Sequence, residues 1–173
     1  MNKFFVILTL CSHFIFIGCG GSESEEREKS EDCTTIDGNM WSTLSSDTMY
    51  WDDAVDYCHN LTECGYSDWR LPNINELRTL IKNCPGSQTD GSCAVKDPSC
   101  LSDSCWSEDC YSYCGYRENN GYYSKLGDDD NVWLWSSSVW SDGSGIAAWL
   151  VGFISGGVHR DYKSYTHSVR CVR

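Results

Sequence analysis

Along Asp68-Trp69-Arg70-Leu71-Pro72-Asn73-Ile74-Asn75-Glu76-Leu77 the hydrophobic period changes from two to about 3.6. Trp69 and Leu71 alternate with Asp68 and Arg70, which predicts a short half-buried strand. Pro72 holds the preceding residue extended and cannot donate to a ladder, so the strand stops there. Asn73 with Glu76 three residues on is a capping-box spacing. Ile74, Leu77, Leu80 and Ile81 then share one helical stripe. On the N-terminal side, Trp51, Ala54, Val55, Cys58 and Leu61 form a second such stripe, predicting a helix from about Tyr50 to Glu63. Asp52 and Asp53 in its first turn complement the helix dipole.

Outside these two helices the pattern is β. Residues 36–43 read as an opening strand broken by a turn at Asp37-Gly38. From Val132 to Ser138 runs a strand apolar on both faces at its start, and Ala147–Ile154 is another. Ser155-Gly156-Gly157 supplies a turn, Val158–Tyr162 returns, and an alternating Ser168–Val172 closes the chain. The elements predict an α+β domain, two early helices packed on a Trp-rich antiparallel sheet.

Ahead of the domain lie two segments of different texture. Phe4 to Ile17 is apolar behind Lys3 and short for a bilayer span, as in an export signal. Phe16-Ile17-Gly18-Cys19 resembles a bacterial lipobox, which implies cleavage after residue 18 and lipid on Cys19. Gly20 after that cysteine points to the outer membrane. Residues 20–32 hold no apolar side chain to bury, so residues 19–32 are expected to be a lipidated, disordered tether. The domain proper is then 33–173. The formal charge is -12 overall, and Lys3 is the one charged residue of the signal, so the exported part is more acidic still. That balance argues against nucleic acid as a partner.

Ten cysteines remain after Cys11 and Cys19 are set aside: Cys33, Cys58, Cys64, Cys84, Cys93, Cys100, Cys105, Cys110, Cys114 and Cys171. An even number in an exported chain implies disulfides, and spacing alone does not select the pairing. Six of them crowd between Cys84 and Cys114 among Ser, Asp, Gly and Pro, with almost no aliphatic residues. Such a stretch needs cross-links to hold a shape, so an insertion at about 84–120 is expected as a disulfide-stapled surface loop. Zinc is the weaker reading there: the segment has no C-x-x-C pair and no histidine. No cofactor is expected; calcium at Asp128, Asp130 and Asn131 is the weak candidate, since that acidic turn lacks full EF-hand spacing.

Trp51-x-x-Ala54-x-x-Tyr57-Cys58 and Asp68-Trp69-Arg70-Leu71-Pro72 with Glu76-Leu77 resemble the C-terminal domain of the collagen-like bacterial adhesin Lcl. So do Trp135-Ser136-Ser137, Ala148-Trp149-x-Val151-x-Phe153-x-x-Gly156 and Val169-Arg170-Cys171-Val172-Arg173. The resemblance makes Asp68, Trp69, Arg70, Leu71, Pro72, Glu76 and Trp149 its structural motif, and the insertion an interruption of the family pattern. The layout also looks like the broad C-type-lectin-like architecture. Domains of that kind commonly join the first helix to the last strand, which implies a Cys58–Cys171 bridge. The six cysteines from 84 to 114 would then pair among themselves, leaving Cys33 and Cys64 for each other.

No H-E-x-x-H, G-x-S-x-G or P-loop pattern occurs, and the chain is not expected to be an enzyme. Cys58 beside His59 suggests a thiol nucleophile only superficially, because adjacent helical residues point about 100° apart. Arg70 is read as partly buried and bridging carboxylate or backbone groups. The expected function is ligand binding by a lipid-tethered surface protein through loops 138–146 and 155–167. Trp140, His159, Arg160, Tyr162, Lys163, Tyr165 and His167 form the contact set, with Trp140 the best exposed tryptophan. The partners are the membrane, through the N-terminal lipid, and an extracellular glycan or protein. The adhesin relative is associated with sulfated glycosaminoglycans, which implies a basic spot from Arg160, Lys163 and the C-terminal arginines. The alternatives are a structural envelope lipoprotein without a specific ligand, and an enzyme related to formylglycine-generating scaffolds.

Overall fold

The computed structural model describes residues 33–111, 114, 123–127 and 132–173. The signal at 1–18, Cys19, the tether, residues 112, 113 and 115–122, and the calcium candidates Asp128, Asp130 and Asn131 lie outside the described residues. Strands β1 (Thr34–Ile36) and β2 (Asn39–Trp41) form a hairpin. Asp37 and Gly38 both take positive φ, 50° and 86°, the handedness that suits a two-residue hairpin turn. Helix α1 (Trp51–Asn60) and α2 (Ile74–Thr79) follow. A short α3 (Glu108–Tyr111) sits in the insertion, and β3 (Trp133–Val139), β4 (Ala147–Gly152) and β5 (Gly157–Tyr162) make an antiparallel sheet in that order. The fold is α+β with two antiparallel sheets, few helices and five disulfides.

The three-stranded sheet is the middle layer. Every residue of β4 is buried, which explains its unbroken apolar run. Trp135, Ala148 and Leu150 share a cluster with Ala54 and Cys58 of α1 and with Trp69 and Leu71. The other face presents Leu134, Trp149, Val151 and Val158 to Ile74, Leu77, Leu80 and the insertion. Two tryptophans on that layer spend their N–H groups on backbone: Trp51 Nε1 on Ser136 O at 2.7 Å, and Trp135 Nε1 on Met49 O at 3.0 Å.

Helix α2 has six residues, too few to persist alone in water. Tertiary burial holds it, since Ile74 and Leu77 are fully enclosed and each such side chain contributes about 1.5–3 kcal/mol. Its capping box is complete: Asn73 Oδ1 accepts from Glu76 N at 2.9 Å, and Glu76 Oε2 accepts from Asn73 N at 2.8 Å. Burial would raise the Glu76 carboxyl, but the bonds from Arg70 and Asn73 outweigh it and hold the group below the usual range.

Four expectations need correction. Helix α1 ends at Asn60 rather than near Glu63, because Leu61 is already extended and Cys64 and Gly65 turn at positive φ. Neither Asp68–Leu71 nor Ser168–Val172 is a regular strand. Val172 bridges both Arg70 and Trp41, while Ser168 bridges Leu134, so the closing segment changes partner along its length. It is enclosed from both sides, and its alternation is lost: Ser168 to Val172 are all buried. Arg70 lies outside, with its side chain 54% exposed, and makes a bidentate pair with Glu76 at 2.7 and 2.5 Å. The insertion, finally, is not a surface appendage. Cys84, Cys93, Val95, Cys105 and Cys110 are buried in the main core, because paired sulfurs serve as apolar volume where aliphatic side chains are lacking.

The bridges are Cys33–Cys64, Cys58–Cys171, Cys84–Cys114, Cys93–Cys110 and Cys100–Cys105. The insertion is also held by a cation. Arg78 is 2% exposed and donates to four carbonyl oxygens of one limb, those of Ser87, Gln88, Cys93 and Val95.

Candidate functional site

Strand β5 is an edge of the sheet, and the side chains singled out in its sequence fall into two groups. Its register with β4 places Arg160 opposite Trp149 and Tyr162 opposite Ala147, while His159 sits opposite Leu150. Arg160 and Tyr162 therefore share one face, and His159 and Asp161 the other.

Cutting across that division of faces, a first group toward the start of β5 surrounds a half-open cleft of about 360 Å³ lined by Asp103, Trp106, His159 and Arg160. The insertion supplies one wall. The Cys100–Cys105 bridge and a single 3-10 turn over Asp103–Cys105 fix the chain there, and Ser141 N bonds Leu101 O at 2.9 Å. Arg160 grips Asp103 at 2.7 and 3.0 Å, with its guanidinium 4.1 Å above the Trp140 ring. That guanidinium holds the Asp103 carboxyl below the usual carboxylate range. Trp106 donates Nε1–H to Val158 O at 2.9 Å and meets Tyr111 edge-on at 5.9 Å.

His159 lies between two rings, Tyr111 at 4.7 Å and Trp133 at 4.6 Å. Its Nε2 is enclosed without a hydrogen-bond partner. Burial pushes the imidazole down to about 4. An imidazole in the unfolded chain titrates near 6.5, so the folded value is the depressed one. The stability that neutral His159 contributes is complete above about 6.5 and is lost as the pH falls through about 4. His159→Phe keeps a ring in the slot and removes the proton. Between pH 7 and pH 4.5 its melting temperature is expected to fall less than that of the wild type; parallel losses would show that His159 does not carry this dependence.

The second group occupies the other end of β5. Lys163 Nζ stands 3.7 Å over the Trp51 ring, and the backbone ties Trp51 N to Lys163 O and Lys163 N to Ile146 O. Tyr162 and Tyr165 lie 6.1 Å apart, 50% and 55% exposed, next to exposed Tyr50 and Ile146. His167 is more enclosed, edge-on to Trp135 at 4.6 Å and bonded to Asp161 at 2.9 Å.

The structure thus places the predicted contact residues in two separate surroundings and sets Asp103, Trp106 and Tyr111 beside one of them. Trp140 is half-buried beneath Arg160, and the exposed tryptophan is Trp106, 39% open. Asp103, Trp106 and Tyr111 escaped sequence reasoning because they lie inside the cysteine-rich stretch. A signal was available: Trp106 is the one tryptophan set among Ser, Asp and Cys with no apolar neighbours. Nor, among the described residues, do the expected cations gather into a basic spot. Arg160 is paired with Asp103, Arg173 with Asp68 at 2.7 Å, Lys163 covers Trp51, and Arg170 is buried against Ser42 O.

Among the described residues, Cys33, Glu63 and Cys64 are the one grouping with metal-ligand atoms close together. Both sulfurs are spent in a disulfide and Glu63 Oε1 accepts from Thr43 N at 2.9 Å, so no thiolate is available there. Cys58 is likewise bridged, which removes it as a nucleophile beside His59. Among the described residues no helix is long and apolar enough to cross a membrane. No curated protein matches the chain. The family model of the Lcl C-terminal domain matches residues 31–173, most of the chain, and the chain belongs to the Lcl C-terminal domain family.

Proposed function

We propose that this is an adhesin-like binding module on the cell surface, with no reaction of its own. Lipid on Cys19 would hold it to the outer membrane and residues 20–32 would space it outward. The arrangement of α1, α2, the β3–β5 sheet and the Cys58–Cys171 bridge supports a C-type-lectin-like class of fold. The observation that carries the binding reading is the grouping of exposed large apolar side chains. Seven occur among the described residues, and six flank β5: Tyr50, Ile146, Tyr162 and Tyr165 at one end, Trp106 and Tyr111 at the other. Clustered exposed aromatic surface of this kind marks interaction sites.

The test uses the full chain on immobilised extracellular-matrix and envelope material. Tyr162→Ala with Tyr165→Ala is expected to weaken retention at least tenfold, while stability stays within about 1 kcal/mol, since both side chains are exposed. Retention unchanged by this pair, and by loss of Trp106, would leave only a structural role. The anchor is tested separately: Cys19→Ser should move the protein from the membrane fraction to the soluble one, and persistence in the membrane would overturn the lipid reading.

A further inference from the structure

The cleft beside β5 has the chemistry of a sugar site. Resting on the binding reading above, we infer that it takes a neutral pyranose unit of a glycan, stacked on Trp106 and held through its hydroxyls by the Asp103–Arg160 pair.

Trp106 is pre-arranged for stacking. Its one polar atom is already bonded to Val158 O, and Tyr111 braces it from the side. A ring held this way loses little freedom when a ligand arrives. The electron-rich face of an indole attracts the slightly positive C–H groups along one side of a sugar ring. Sugars also present adjacent hydroxyls, each both donor and acceptor. The Asp103–Arg160 pair offers the complement: carboxylate oxygens with unused lone pairs, and guanidinium N–H groups beyond the two that Asp103 takes. Both side chains are open enough to make those bonds, 56% and 40% exposed. The remaining wall is His159, uncharged at neutral pH. The volume of about 360 Å³ is at the small end for ligand sites. It suits one ring of a longer chain that runs out through the open side.

The same geometry disfavours a sulfated ring. A sulfate would have to displace Asp103 from Arg160, the one cation among the described residues that line the cleft. It would also face Asp142, which acts electrostatically on both members of the pair. The acidity of the chain adds to that repulsion.

The full chain, labelled with nitrogen-15, is titrated with maltohexaose, cellohexaose, chitohexaose and a heparin hexasaccharide, following the tryptophan indole N–H resonances. Trp106→Phe assigns the Trp106 signal. At least one neutral hexasaccharide is expected to shift it, with a Kd that changes less than twofold between low and high salt. Asp103→Asn should weaken that binding tenfold or more with the melting temperature preserved, and Trp106→Ala should abolish it. Binding of heparin alone, weakening steeply with salt, would overturn the inference. So would the absence of any shift by the neutral sugars. If retention on matrix or envelope material survives in either case, the site assignment fails and the binding module stands; if retention is absent as well, both fail.

Discussion

Replacing Arg78 with methionine is expected to lower the unfolding free energy by about 3–5 kcal/mol, because several enclosed carbonyl oxygens lose a charged donor at once. Methionine fills much of the same slot, so the loss is not mainly one of volume. What disappears is the set of N–H groups that reach Ser87 O at 2.8 Å, Gln88 O at 2.6 Å, Val95 O at 2.5 Å and Cys93 O at 3.1 Å. Four acceptors would then be enclosed with fewer donors, and each unsatisfied one costs about 1–3 kcal/mol, less whatever water recovers. Arg78→Lys should be only partly protective, because an ammonium is a point donor and cannot fork between the Ser87–Gln88 and Cys93–Val95 backbone as a guanidinium does. Urea unfolding under oxidising conditions measures the difference. A methionine variant within about 1 kcal/mol of the wild type would mean that the disulfides, not the guanidinium, hold the limb in place.

The second large effect is expected at Cys58 and Cys171. They are 113 positions apart and both wholly buried. Closing a loop of that length restricts the unfolded chain by about 5 kcal/mol in the chain-entropy account. The double alanine variant should therefore melt lower by about 10–20 °C for a domain of this size. Removing Cys100 and Cys105 together opens a loop of only five positions, worth about 2 kcal/mol on the same account. Calorimetry on the two double variants should give clearly unequal shifts. Equal shifts would place the stabilisation in local packing rather than in the connectivity of the unfolded chain.

The legible parts of this fold were those in which a residue's neighbours in sequence are also its physical partners. Asp37-Gly38 has the turn chemistry the hairpin needs, and Asn73 and Glu76 satisfy each other within one turn. The apolar run of β4 announces a strand covered on both faces. What stayed hidden depends on partners distant in the chain. Ser168–Val172 alternates like a half-exposed strand, yet Trp41 and Arg70 close over it from 98 or more positions away. Arg78 lies four residues after Ile74 and one after Leu77, on the apolar stripe itself. The carbonyl oxygens that satisfy this charge sit in a segment without periodicity, so nothing in the pattern announced them. The candidate site was half visible for the same reason. Arg160 and His159 stand in a patterned strand, whereas Asp103 and Trp106 are positioned by disulfides, which leave no trace in hydropathy.

The sheet's borders also restrict how any partner can be read. Along β3 the outer backbone groups are taken: Trp135 N bonds Ser168 O, Ser168 N bonds Trp133 O, and Ser137 N bonds Pro72 O. At the start of β5, Trp106 occupies Val158 O and α3 lies against the strand. A visiting peptide that recruits main-chain hydrogen bonds by adding itself as a further strand needs a free border several residues long. Here one border is filled and the other is blocked at one end, leaving about four residues of β5, fewer than a typical strand. Under the proposed binding function, discrimination between partners would rest on side-chain chemistry rather than on backbone pairing. The filled border and the short remaining edge also leave two copies of the chain little backbone with which to join sheet to sheet.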